Sequence, residues 1–217
     1  MGHRPRHMLV RSNGTWRGGT VIGVITLAVT GVSLIGAGYG TPVAPPVVES
    51  SASAGLAGAA AEVSASTPVG LSISSIAVDA PVERVDVDRD GILIPPSLRE
   101  SSHVGWYERG PTPGEAGNAV IVGHVDTSDS GPAVFYRLGR LKPGDHVDVT
   151  RRDGSTVTFE VDGVRLYPKR FFPAELVYGP ATRPQLRLVT CGGTFDRATS
   201  NYSGNTVITA TMVSWRP

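Results

Sequence analysis

Apolar side chains fall into two regimes along the chain. Residues 18–48 hold no charged side chain, and within them residues 21–39 read VIGVITLAVTGVSLIGAGY. That run is long enough for a bilayer span of about 20 residues, and as a helix it satisfies its own backbone polar groups. From residue 69 onward the apolar runs are short. Leu71 and Ile73, then Ile76 and Val78, open this region; Ala80-Pro81 predicts a break, and Val82, Val85 and Val87 follow. Residues 118–125 (NAVIVGHV) are a near-continuous apolar run of buried-strand type. Residues 146–150 alternate, Asp153-Gly154 signals a hairpin turn, and Val157, Phe159 and Val161 alternate again. Residues 186–191 and 206–213 are two further strand-type runs. Helical pattern is confined to residues 133–141 (AVFYRLGRL) and 173–178. Many short strands with turn signals predict a mainly β domain, a closed or nearly closed barrel with one or two short helices.

Composition narrows the function classes. The 217 residues carry 20 Lys+Arg against 19 Asp+Glu, a net charge of +1, with no basic stripe, so nucleic-acid binding through bulk positive charge is excluded. Four arginines, Arg4, Arg6, Arg11 and Arg17, precede the first carboxylate, Glu49. Without those four, 16 basic side chains face 19 acidic ones, so the basic excess belongs to the N-terminus. Arginines ahead of an apolar run place residues 1–17 in the cytoplasm and everything after residue 40 outside. The chain is therefore divided into a basic cytoplasmic N-terminus (1–17), a transmembrane anchor or signal (18–40), an Ala/Ser/Pro-rich tether (41–68) and a globular domain (69–217). The small residues near 37–40 also permit cleavage as a secretory signal, and both readings make the domain extracytoplasmic.

One cysteine excludes an internal disulfide, a multi-cysteine zinc site and a redox pair. Cys191 ends the run Gln185–Thr190 and is followed by Gly192-Gly193; His124 ends the other apolar run, in Gly123-His124-Val125-Asp126. A thiol and an imidazole at strand exits can share a proton, giving the thiolate needed for acyl transfer. Taken singly, Cys191 also fits a buried small hydrophobe and His124 a strand-end polar residue.

In sequence order the motifs resemble the sortase family. Leu188-Val189-Thr190-Cys191 is similar to its L-x-T-C strand end, and Val122-Gly123-His124-Val125-Asp126 to its histidine segment. Val104-Gly105-Trp106-Tyr107, the stretch from Gly114 to Ile121, Cys191-Gly192-Gly193-Thr194-Phe195-Asp196, and Tyr202 through Val207 resemble the class F branch. The resemblance implies an eight-stranded sortase barrel behind an N-terminal transmembrane helix. It implies a cysteine transpeptidase that cuts an LPxTG-like sorting signal of surface proteins between Thr and Gly and passes the acyl group to a cell-wall amine. It makes Cys191 the nucleophile and His124 the general acid and base, with no cofactor and no metal. Sortases add an arginine for the oxyanion. Positions about a dozen residues past the thiol hold Ser203 and Gly204 here, so Arg197 is the expected donor and Arg187, on the strand face of Cys191, its rival. The alternatives are a non-catalytic β-barrel binding module, or a hydrolase or pilin-type isopeptide-forming enzyme using the same acyl-enzyme.

Other signals are set aside. Asp86-Val87-Asp88-Arg89-Asp90-Gly91 imitates a calcium loop, but its twelfth position is Ser97, so a turn between strands is expected. His103 and His146 have no ligand-spaced partner in sequence. Asp126, two residues from His124, shares its strand face, either orienting the imidazole through a hydrogen bond or lying beside it without contact.

Overall fold

In a computed structural model, the described residues are 63–89 and 91–217. The basic N-terminus, the anchor and residues 41–62 of the tether lie outside them. Among the described residues no helix is long and apolar enough to cross a membrane.

Ten strands form: β1 Pro68–Ile73, β2 Val78–Val85, β3 Val104–Tyr107, β4 Gly117–Val122, β5 Asp126–Thr127, β6 Gly131–Pro132, β7 His146–Arg151, β8 Thr156–Pro168, β9 Pro184–Asp196 and β10 Asn201–Arg216. Eight of them close into a barrel in the order β1-β2-β3-β4-β9-β10-β8-β7, and β5 and β6 form a separate small ribbon. Pairing is antiparallel except at β2–β3 and β4–β9, which are parallel. Among the described residues the one α-helix, α1, is Ala174–Tyr178, within the predicted helical segment.

Alternation along the strands sorts side chains to two faces. Leu186 and Leu188 of β9, Ala119 and Ile121 of β4, and Ile208 and Ala210 of β10 fill the barrel interior with Phe135 and Phe159. The opposite face of the same strands carries Val120, Val122, Val189 and Val207, covered by Leu93 from the β2–β3 connection and Val177 from α1. The wall containing β4, β9 and β10 is thus apolar on both faces, which is why its runs read as nearly continuous.

Three expectations are corrected. Pro81 does not break the chain; it sits inside β2, where pairing passes from β1 (Gly70↔Pro81) to β3 (Val82↔Val104). A residue without an N–H is tolerated at that handover. Residues 133–141 form successive three-residue turns, with one 3-10 turn at Leu138–Arg140, instead of an α-helix. Their buried side chains, Phe135, Leu138 and Leu141, recur every three residues, the 3-10 period. Residues 63–68, assigned to the tether, lie against the barrel: Val63 N–H donates to Gly114 O (3.0 Å) and Arg152 N–H to Thr67 O (2.8 Å). The mock calcium loop is the expected turn, with Val87 bridged to Leu93 and Asp88 N–H donating to Ile92 O at 2.8 Å.

Arg151 fastens that entering segment. It is 2% exposed, donates through Nη1 to Ser64 O at 2.7 Å and through Nε to Ser155 Oγ at 2.8 Å, and meets Asp153 at 3.0 Å. Arg151→Ala leaves a cavity and buried acceptors without donors, a cost of about 3 kcal/mol. A matching fall in the urea midpoint, with the slope unchanged, checks this.

Candidate active site

The site is set by the parallel pair β4–β9. Their ladder ends at Val122↔Val189, and the contact continues beyond it. Gly123 N–H donates to Val189 O at 3.2 Å, and Thr190 Oγ1 donates to Gly123 O at 2.8 Å. Two residues past the last pair on each strand come His124 and Cys191. Alternation puts His124 on the outer face with Val120 and Val122, and Cys191 on the outer face with Arg187 and Val189. The two predicted residues therefore occupy adjacent positions of one row on one face. Both are half-buried. Gly123 allows this ending, because a Cβ there would lie 2.7 Å from the Phe135 ring. The bulkless position lets the inner face pack while His124 turns outward.

The imidazole is held from the opposite wall. His124 Nε2 lies 2.7 Å from Pro96 O, in the β2–β3 connection. A carbonyl only accepts, so Nε2 carries the hydrogen in this contact. The next turn is pinned as well: Phe135 N–H donates to His124 O at 2.9 Å, and the Tyr202 hydroxyl donates to Asp126 Oδ2. Tyr202 packs on Phe195 with ring centres 5.0 Å apart, so Asp126 links the histidine segment to the β9–β10 hairpin.

The row continues through β10 and β8. Asn205 is the cross-strand partner of Cys191, and Tyr167 that of Asn205. Lys169, just past β8, donates from Nζ to Asn201 Oδ1. Burial holds the Lys169 ammonium below the usual lysine range, and negative charge at Cys191 opposes that shift. Neither Lys169 nor Asn205 is marked by spacing to Cys191. Lys169 belongs to a different strand end, and Asn205 is recognised only once the β9–β10 register is known.

The two arginines behave differently. Arg187 is 5% exposed beneath α1, donating from Nε to Leu176 O at 3.0 Å and from Nη1 to Leu186 O at 3.1 Å, with Nη2 on Gln185 Oε1. Its acceptors lie toward the start of β9, away from Cys191. Burial lowers its pKa from the ordinary arginine value. Arg197 lies in the exposed β9–β10 turn, residues 197–200, which Asp196 braces through Ala198 N–H (2.8 Å) and Thr199 Oγ1 (2.9 Å). Six residues, at most about 20 Å of chain, separate it from Cys191, with Gly193 at φ 83° between them. The structure thus brings Cys191 and His124 together and leaves Arg197 at the hairpin tip.

Below the row, a groove of about 330 Å³ runs along the outer face between β8, β10 and α1, lined by Arg165, Tyr167, Leu176, Val207 and Thr209 among others. Elsewhere, the fold gives His103 the partners its sequence position lacked: ligand atoms of Glu83, Glu100 and His103 lie within 4.8 Å of one another. These side chains are partly or fully exposed and belong to the β2–β3 region, outside the Cys191 row.

Comparison with known proteins fits this arrangement. The sortase-domain family model matches residues 71–213. The chain belongs to the sortase family. Sortase A from Corynebacterium diphtheriae aligns with TM-score 0.52 and 21% identity over 71% of this chain and 64% of that one. Sortase C-1 from Actinomyces oris aligns with TM-score 0.52 and 22% identity over 68% of this chain and 75% of that one. The SrtA sortase from the same organism gives TM-score 0.52 and 22% identity over 72% and 86%. The chain thus spans just under two thirds of the length of the C. diphtheriae enzyme. The comparison with curated proteins gives no match.

A cation near a thiol favours the thiolate. Lys169→Met is therefore expected to move the pH profile of Cys191 alkylation by iodoacetamide upward, by up to about one pH unit for a partly solvated pair. An unmoved profile would separate Lys169 from the thiol.

Proposed function

We propose that this protein is a class F-like cysteine transpeptidase, anchored in the membrane by residues 18–40, whose extracytoplasmic domain cleaves an LPxTG-like sorting signal between Thr and Gly. The observation that carries the reading is the shared row of His124 and Cys191 at the ends of paired strands. A binding module has no need of a thiol and an imidazole at neighbouring positions.

The chemistry follows from the two groups. The Cys191 thiolate attacks the Thr carbonyl carbon, forming the C–S bond and moving an electron pair to the carbonyl oxygen. Collapse of this intermediate breaks the C–N bond, and the His124 imidazolium gives its proton to the departing Gly amine. An acceptor amine of a cell-wall precursor then attacks the thioester. His124 takes its proton, the new C–N bond forms, and the thiolate leaves. Arg197 is proposed to meet the scissile carbonyl when the β9–β10 hairpin bends over the bound peptide.

Incubation of the full chain with an LPxTG-type peptide panel, followed by intact mass measurement, tests this. The expected product is protein carrying the acyl fragment without the Gly side. Cys191→Ala abolishes both adduct and turnover. His124→Ala lowers turnover by about 100- to 10,000-fold, and Arg197→Ala by roughly 100-fold. Turnover retained by Cys191→Ala would remove the mechanism. Adding an amine acceptor sorts the acceptor class: water alone as acceptor makes the enzyme a hydrolase, and a lysine side chain makes it isopeptide-forming.

A further inference from the structure

We infer that the Asn205 carboxamide is a further catalytic residue, a fixed hydrogen-bond donor to the oxyanion that forms on the carbon bonded to Cys191. The inference rests on the acyl-transfer reading above.

The first ground is position. Asn205 is directly opposite Cys191 in the antiparallel β9–β10 pair. Such partners point to the same face with Cβ atoms about 5 Å apart. Across the wall the order is His124, Cys191, Asn205, Tyr167. The proton-transfer group flanks the nucleophile on one side and the carboxamide flanks it on the other. An acyl group attached to Sγ carries its oxygen into the reach of that neighbour.

The second ground is an unmet need. Asn205 is 0% exposed, and neither Nδ2 nor Oδ1 has a hydrogen-bond partner. Leaving a buried amide unpaired costs roughly 1–3 kcal/mol, and such groups are rare in folded chains. A donor held ready, without a partner to give up, is what transition-state stabilisation requires, since it needs no rearrangement when charge develops. Carboxamide side chains serve in this role in other acyl-transfer enzymes.

The third ground is the local framework. Gly204 precedes Asn205, and a Cβ there would lie 2.5 Å from Tyr167 O, so β8 and β10 approach closely at this level. Lys169, held by Asn201 on the same strand as Asn205, adds positive charge on this side of the thiol. Arg187 is occupied beneath α1 and Arg197 lies at the hairpin tip. Asn205 is the donor already seated in the Cys191 row.

The test compares full-length wild type with Asn205→Leu and Asn205→Ala in three measurements: single-turnover acylation by a sorting peptide, Cys191 alkylation by iodoacetamide, and thermal midpoint. Both variants are expected to acylate about 100-fold more slowly, the loss reported for removing one oxyanion donor, at an unchanged half-saturating peptide concentration. Alkylation, which builds no oxyanion, should stay within about 3-fold of wild type. Asn205→Leu should melt no lower than wild type, because it removes an unpaired buried amide. Should the leucine variant fail to fold, Asn205→Ala, smaller, uncharged and without donors, carries the test. Acylation within about 3-fold of wild type, or alkylation falling in parallel with acylation, overturns the assignment. If wild type itself forms no acyl-enzyme while its thiol alkylates, the transpeptidase reading has failed instead.

Discussion

The parallel pairing of β4 with β9 is the constraint on which the site depends. The two strands are far apart in sequence, yet their six-residue ladder from Gly117↔Pro184 to Val122↔Val189 fixes where each ends. A slip of one residue would turn either His124 or Cys191 into the barrel interior, since side chains alternate faces. The register is protected from both sides. Ala119, Ile121, Leu186 and Leu188 must face the interior, while Val120, Val122 and Val189 must face the outer cluster. The Thr190 hydroxyl then ties the strand exits together through Gly123 O.

A barrel wall covered on both faces is uncommon in antiparallel proteins, where one face is usually wet. Here the outer cover is made of connections. The β2–β3 segment supplies Leu93 and Pro96, and the β8–β9 segment supplies Phe172, Val177 and Tyr178. Tyr107 meets Tyr178 edge-on, with ring centres 5.8 Å apart, joining the two covers above the valine row. Burial pushes the Tyr178 hydroxyl up and keeps it neutral, as an apolar cover requires. The covers end at the level of His124 and Cys191, so both groups sit at the rim of a dry surface, half-buried and still reachable.

Much of this was legible in the sequence because it rests on local pattern. The runs at 118–125 and 186–191 reveal strands buried on both faces, and the motifs at their ends reveal Cys191 and His124. What escaped depends on pairing. Strands β8, β9 and β10 run well beyond their apolar alternation, through Asp162, Gly163 and Arg165 and through Gly192 to Asp196, because neighbouring backbones hold those polar stretches in the ladder. Pro81 looked like a break because its missing donor is visible, while the change of partner that excuses it is not. The arginine assignment followed spacing along one strand. Spacing cannot show that Arg187 turns beneath α1 or that the turn at 197–200 carries Arg197 away from the thiol.

The polar groups in this wall differ in how far their needs are met. Asn118, buried on β4, keeps an unpaired Oδ1, but its Nδ2 donates to Gly179 O at 2.8 Å and so helps dock the α1 segment. Arg187 has three acceptors, Leu176 O in α1 and Leu186 O and Gln185 Oε1 on its own strand. Both secure structure, and both sit at the end of the wall remote from Cys191. Asn205 is as deeply buried as either, yet its donors and acceptor are unpaired and its cross-strand partner is Cys191. If packing alone set the residue at 205, an aliphatic side chain matching Val207 and Val189 would stabilise the native state without the desolvation cost. Keeping a carboxamide there lowers stability in the resting enzyme and recovers that cost only when negative charge appears beside it. The same physics that makes an unpaired buried amide unfavourable makes it an effective oxyanion donor, since the interaction it lacks at rest is the one the transition state provides.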